Sequence, residues 1–103
     1  MADMHDADSP KPRDDEFITK VERRERCSEV APGEQWYAWN RDTHRQVVAN
    51  IRSIQSSSGA PITHEKDYPI SPGGSVSLGC SEVSNGIGGY LHIVYKVIGE
   101  RFL

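Results

Sequence analysis

The sequence predicts an all-β fold, a small antiparallel β-sandwich, and three observations carry that prediction. From Phe17 onward, short apolar runs are split by turn residues at intervals. Several of these runs alternate apolar and polar residues, the period of two that turns one face of a strand toward a core. The chain has 103 residues, enough for one hydrophobic core but too few for two without metals or disulfides to support them.

Residues 1–16 are expected to form a disordered acidic tail. They combine Asp3, Asp6, Asp8, Asp14 and Asp15 with Pro10 and Pro12 and hold almost nothing to bury, so ordering them would cost backbone entropy without return. Residues 17–103 form the single β-rich domain. Its first strand starts at Phe17, where Phe17, Thr19 and Val21 alternate with Ile18, Lys20 and Glu22. Ala31-Pro32-Gly33-Glu34 reads as a turn, because Pro presets one dihedral and Gly permits the next. Gln35 to Asn40 follows as a second strand.

Residues 45–55 match two templates. Val47, Ala49 and Ile51 alternate as on a strand, while Val47, Val48, Ile51 and Ile54 share a helical face, with Thr43 and Gln46 in capping-box spacing. β-branched content and strand-like neighbours favour the strand. A helix at about 43–55 would make the fold α+β. Ser56 to Pro61 is a loop by composition, and Ile62 to Tyr68 an edge strand polar enough to face water, closed by Pro69. After the Pro72-Gly73-Gly74 turn, Val76, Leu78 and Cys80 alternate with Ser75, Ser77 and Gly79, which points Cys80 inward. Beyond the glycine-rich connection Ser84 to Gly89, residues 90–98 are apolar on much of both faces and are expected in mid-sheet with packing on each side. The strands together have roughly immunoglobulin-like proportions. The likeness is architectural, since Trp36 and Trp39 follow Cys27 too closely for the Cys…Trp…Cys order of antibody domains.

Charge excludes several functions. Twelve Lys and Arg stand against 15 Asp and Glu, so no global field attracts a polyanion and no nucleic-acid partner is expected. Arg23, Arg24 and Arg26 are interleaved with Glu22 and Glu25, a solvated mixed-charge face. No run approaches a membrane span and the first residues are acidic where an export signal would be basic, so a complete chain would be expected in the cytoplasm, with no membrane partner. Cys27 and Cys80 would stay thiols there. In an oxidising compartment they could instead pair and close a long loop.

Four chemistries have candidate residues in this chain. A Cys80 nucleophile assisted by His64 or His92 needs a lowered thiol pKa, which no spacing supplies, and a buried inert Cys80 is the simpler reading. His5, His44, His64 and His92 lack metal-ligand spacing, and no metal or other cofactor is expected. Gly86 to Gly89 precedes a strand and lacks the helix N-terminus of a phosphate loop. The cluster Trp36, Tyr37 and Trp39 remains. On a strand Trp36 projects to one face and Tyr37 and Trp39 to the other, so one aromatic face is available for binding, with Trp39 nearest the rim. The expected function is a non-catalytic interaction module that binds a protein through a β-sheet or loop surface. Carbohydrate binding on exposed aromatics and a Cys80-centred enzyme are the alternatives, and oligomeric state is left open.

Overall fold

The computed structural model describes residues 17–103. Seven strands follow in order: β1 Thr19–Arg26, β2 Glu34–Asn40, β3 Val47–Gln55, β4 Ile62–Ile70, β5 Ser75–Cys80, β6 Glu82–Ser84 and β7 Tyr90–Phe102. They form two antiparallel sheets, one ordered β1-β2-β5 and the other β4-β3-β7-β6. The small sandwich is therefore the fold. The helix alternative at 43–55 gives way to β3, which pairs along its whole length with β4 on one side and β7 on the other. Two flanking strands satisfy its backbone while Val47, Ala49 and Ile51 stay buried. The tail expected at 1–16 lies outside the described residues.

Between the sheets lie Phe17, Ala38, Val47, Ala49, Ile51, Ile70 and Val97, with Val21, Tyr68, Val76, Leu78, Tyr95 and Phe102 packed around them. One polar side chain sits at the heart of this core. Asn40 is fully buried, and its Nδ2 donates to the carbonyls of Arg45 at 2.8 Å, Ile70 at 3.1 Å and Ser71 at 3.2 Å. Its Oδ1 accepts the Asp42 N–H at 2.9 Å. The end of β2, the start of β3 and the end of β4 are thereby tied through a single amide.

Three local expectations are corrected. Pro69 does not close β4, which runs on to the buried Ile70. As the expected edge strand of its sheet, β4 tolerates a residue without an N–H. β7 lies inside the sheet order as expected, but it is not covered on both sides, because Tyr90, His92, Val94 and Lys96 are exposed. The third correction concerns Cys80. Between β2 and β5 the register shifts, so that Ala38 faces Val76 and Tyr37 faces Ser77, but Trp36 faces Gly79 and Gln35 faces Cys80. The extra residue is Leu78, and such a bulge exchanges the faces beyond it. Cys80 is thus out of phase with Val76, and a buried free thiol is not what forms. Cys80 is bonded to Cys27 with an S–S distance of 2.08 Å, across 53 positions of sequence.

Two glycines make these close approaches feasible. Gly33 has φ +112°, and a Cβ there would lie 2.8 Å from the Cys80 Sγ and 2.9 Å from the Glu82 Cγ, so the disulfide crosses over a residue that must lack a side chain. Gly79 has φ +146°, and the hydroxyl of Tyr95 occupies the place of its missing Cβ. Gly79→Ala is expected to cost roughly 2–3 kcal/mol in urea unfolding, from backbone strain and overpacking together. Adding Tyr95→Phe should recover the steric share. Wild-type stability in Gly79→Ala would show that the bulge does not need its glycine.

Immediately after β5 the chain changes sheets. Ser81 is buried; its N–H donates to the Glu34 carbonyl at 2.9 Å, its Oγ accepts the Glu34 N–H at 2.9 Å, and its carbonyl accepts the Ile93 N–H at 2.8 Å. One residue therefore stitches β2 to β7.

Candidate functional site

The alternation of β2 divides the three aromatics named from sequence. Trp36 turns into the sandwich, its ring centroid 6.1 Å from that of Tyr95 and tilted by 59°, with the Arg23 guanidinium 5.7 Å from the ring. Its indole Nε1 is buried and has no hydrogen-bond partner among the described residues. Tyr37 and Trp39 turn outward on the three-stranded sheet. Trp39, between Lys20 of β1 and Ser75 of β5, is 37% exposed. Tyr37 lies between Glu22 and Ser77, with the Arg24 guanidinium 4.6 Å from its ring centroid. The Tyr37 hydroxyl donates to the Glu25 carboxylate. This hydrogen bond holds the Glu25 carboxyl below its usual range and pushes the Tyr37 phenol above its own. Tyr37 and Trp39 thus share one surface, and Trp36 belongs to another.

That second surface is a cleft of about 630 Å³, within the roughly 300–1,000 Å³ typical of ligand sites. Thr19, Lys20 and Val21 of β1 line it, opposite Val94, Tyr95, Lys96 and Val97 of β7, with Trp36, Arg41 and Ile54 completing the lining. Burial pushes the Tyr95 phenol up, so it stays protonated and neutral at physiological pH. Thr19 is fully buried, and its Oγ1 has no hydrogen-bond partner among the described residues. At the end of the cleft the chain is anchored: the Glu100 carboxylate accepts the N–H groups of Ile18 at 2.8 Å and Thr19 at 2.9 Å. Arg41 donates from Nε to the Ile18 carbonyl at 2.9 Å and from Nη2 to the carbonyl of Phe17.

Thr19, Lys20, Arg41, Tyr95 and Lys96 escaped the sequence reading because what unites them is strand order. The one signal available was the inequality between a long final run and the short segment before it. β7 has 13 residues, whereas β6, its neighbour on the side away from β3, has three.

The nucleophile reading is corrected by the disulfide. A thiolate is the reactive form of cysteine, and Cys80 in its bond to Cys27 has none. His92 is exposed and pairs instead with Glu82, Nδ1 to Oε2 at 2.6 Å. His44 sits in the turn organised by Asp42, whose carboxylate accepts the N–H groups of His44 at 2.8 Å and Arg45 at 2.9 Å. Those bonds, that to His44 first, keep the Asp42 carboxyl below its ordinary value. Among the described residues no group of three or more His, Cys, Asp or Glu is arranged to hold a metal ion, and no helix is long and apolar enough to cross a membrane. Comparison with protein-family models, with curated proteins and with solved structures returns no match.

Proposed function

We propose that this chain is a non-catalytic module that binds a protein partner through the outer face of its three-stranded sheet, centred on Trp39. The observation that carries the reading is the side-by-side placement of exposed Trp39 and half-buried Tyr37 on one face, with the Arg24 guanidinium against the tyrosine ring. Trp, Tyr and Arg are the residue types most enriched at protein-binding hot spots, since they offer large, rigid contact area with polar ends. Carbohydrate is the second reading. It is less well supported because a sugar stacks on an open aromatic face, and Arg24 already lies on that of Tyr37. For compartment, the Cys27–Cys80 bond favours an oxidising environment over the cytoplasm expected from sequence, since such bonds are reduced in cytosol. Thiol titration of protein taken directly from its native cells would distinguish the two.

The test has a folding arm and a binding arm. Trp39→Phe should abolish the iodide-quenchable part of the tryptophan fluorescence and leave that of Trp36, with stability changed by no more than about 0.5 kcal/mol, as for other surface positions. Immobilised wild-type chain should then retain a partner protein from its native source that Trp39→Ala loses by roughly 30-fold, the effect of about 2 kcal/mol at a hot spot. Ile87→Ala, at an exposed loop position, should retain it. Equal retention by Trp39→Ala would refute the surface. Retardation of the wild type, but not of Trp39→Ala, in a polysaccharide gel would replace protein by carbohydrate.

A further inference from the structure

A second binding surface lies where the two sheets gape, and it shares Lys20, the cross-strand neighbour of Trp39, with the first. Along β7, Ile93 directs its N–H away from β3 to the Ser81 carbonyl, while the His92 carbonyl accepts from Ser56 on the β3 side. Backbone direction alternates along a strand, so the N–H and C=O of Tyr95 and the N–H of Val97 also point away from β3. There β6 has already ended, its last pairings being with Tyr90, Leu91 and His92. Across the cleft, β1 is the outer strand of its sheet, paired with β2 through residues such as Lys20 and Glu22. The Ile18 carbonyl accepts from Arg41 on the β2 side, and by the same alternation Thr19 and Val21 direct their backbone groups outward. Apart from the Thr19 N–H, which the Glu100 carboxylate accepts, both long sides of the cleft are thus open strand edges among the described residues.

We propose that this cleft receives an extended, acidic segment of a partner protein, which adds as a strand to the open edge of β7 at Tyr95 and Val97. Strand addition uses free main-chain groups for affinity and alternate side chains for selectivity. Inward-facing side chains of the segment would be apolar, meeting Val21, Val97 and the rings of Trp36 and Tyr95. Its outward side chains would be carboxylates. The cleft lining holds three cations, Lys20, Arg41 and Lys96, and no acidic residue, and none of the three makes an ion pair among the described residues. Lysines also guard strand edges against unwanted pairing. That role alone does not account for a cleft of about 630 Å³.

The probe is a capped nine-residue peptide of alternating Val and Glu, titrated into the ¹⁵N-labelled full chain. Two controls accompany it: the Val/Lys counterpart, and the Val/Glu peptide N-methylated at alternate amides, one version for each alternation. The expected result is a shift of the Tyr95 and Val97 amides and of the Trp36 indole N–H, with slowed exchange at Tyr95. Lys96→Glu, at an exposed position away from Trp39 and with an unchanged circular dichroism spectrum, should weaken the Val/Glu peptide several-fold and favour Val/Lys. One N-methylated version should fail to bind. Equal binding of Val/Glu and Val/Lys, or of both N-methylated versions, overturns the proposal. So does protection of the Tyr95 amide before any peptide is added: if independent of concentration it assigns the edge to residues 1–16 of the same chain, and if dependent on concentration to a second copy.

Discussion

Removing the disulfide as Cys27→Ala/Cys80→Ala is expected to lower stability by roughly 4 kcal/mol, the loop-closure value for residues 53 apart. For a domain of this size that corresponds to a fall in thermal midpoint of about 15–30 °C. The effect acts through the unfolded ensemble: the bond joins the loop after β1 to the end of β5, two strands that never pair with each other but both pair with β2. Without it, the three-stranded sheet assembles from segments held only by their ladders. Calorimetry of the double variant, and of wild type with and without dithiothreitol, measures the effect. A midpoint within 5 °C of wild type would mean that the sheet is held without its covalent link.

Asn40→Ala is expected to cost roughly 3–5 kcal/mol. The carbonyls of Arg45, Ile70 and Ser71 and the N–H of Asp42 all lose a partner at once, and a buried polar group left unsatisfied costs about 1–3 kcal/mol. Cavity and hydrogen bonds are separated by Asn40→Asp, which keeps the volume but offers a carboxylate to three carbonyl oxygens. At neutral pH it should be at least as damaging as the alanine. A carboxyl in that place has its folded pKa raised above the unfolded value of about 3.9, so it favours the protonated form. The deficit should therefore shrink as pH falls through the folded pKa, when the acid regains a hydrogen to donate. Denaturant unfolding at pH 7 and pH 4 reads both effects, and a loss under 1 kcal/mol in either variant would show that water replaces the amide.

What could be read in advance was the periodic part of the chain. β3 and β5 were legible because Val47, Ala49 and Ile51, and Val76, Leu78 and Cys80, recur at every second residue, and the turn at Pro72 to Gly74 was legible because its residue types impose it. The turn closes as expected, with Gly74 N–H donating to the Ser71 carbonyl at 2.9 Å and Gly73 at φ +69°. The bulge at Leu78 was not legible. One inserted residue leaves the alternating pattern of Ser75 to Cys80 intact in sequence while exchanging faces in space, and the placement of Cys80 opposite Gln35 follows from that shift. Asn40 looked like the polar end of a strand because its partners are carbonyls, which every sequence has everywhere. The outward placement of Tyr37 and Trp39 followed from parity alone. The cleft did not, because it arises from the point where β6 stops beside β7.

The pairing pattern also determines how the chain reaches this state. The local pairs are the hairpins β1–β2, β3–β4 and β6–β7, joined through residues 27–33, 56–61 and 85–89, whereas β3 must find β7 and β2 must find β5 across much of the sequence. Contacts of such long separation delay folding to the millisecond-to-second range, since loop closure precedes the gain from pairing. β7, the partner of both β3 and β6, meets β6 through a short connection but reaches β3 only by such a long-range contact. Among the described residues, the strand that joins the β6–β7 hairpin to the rest of the larger sheet is thus also the one whose edge stays open beyond β6.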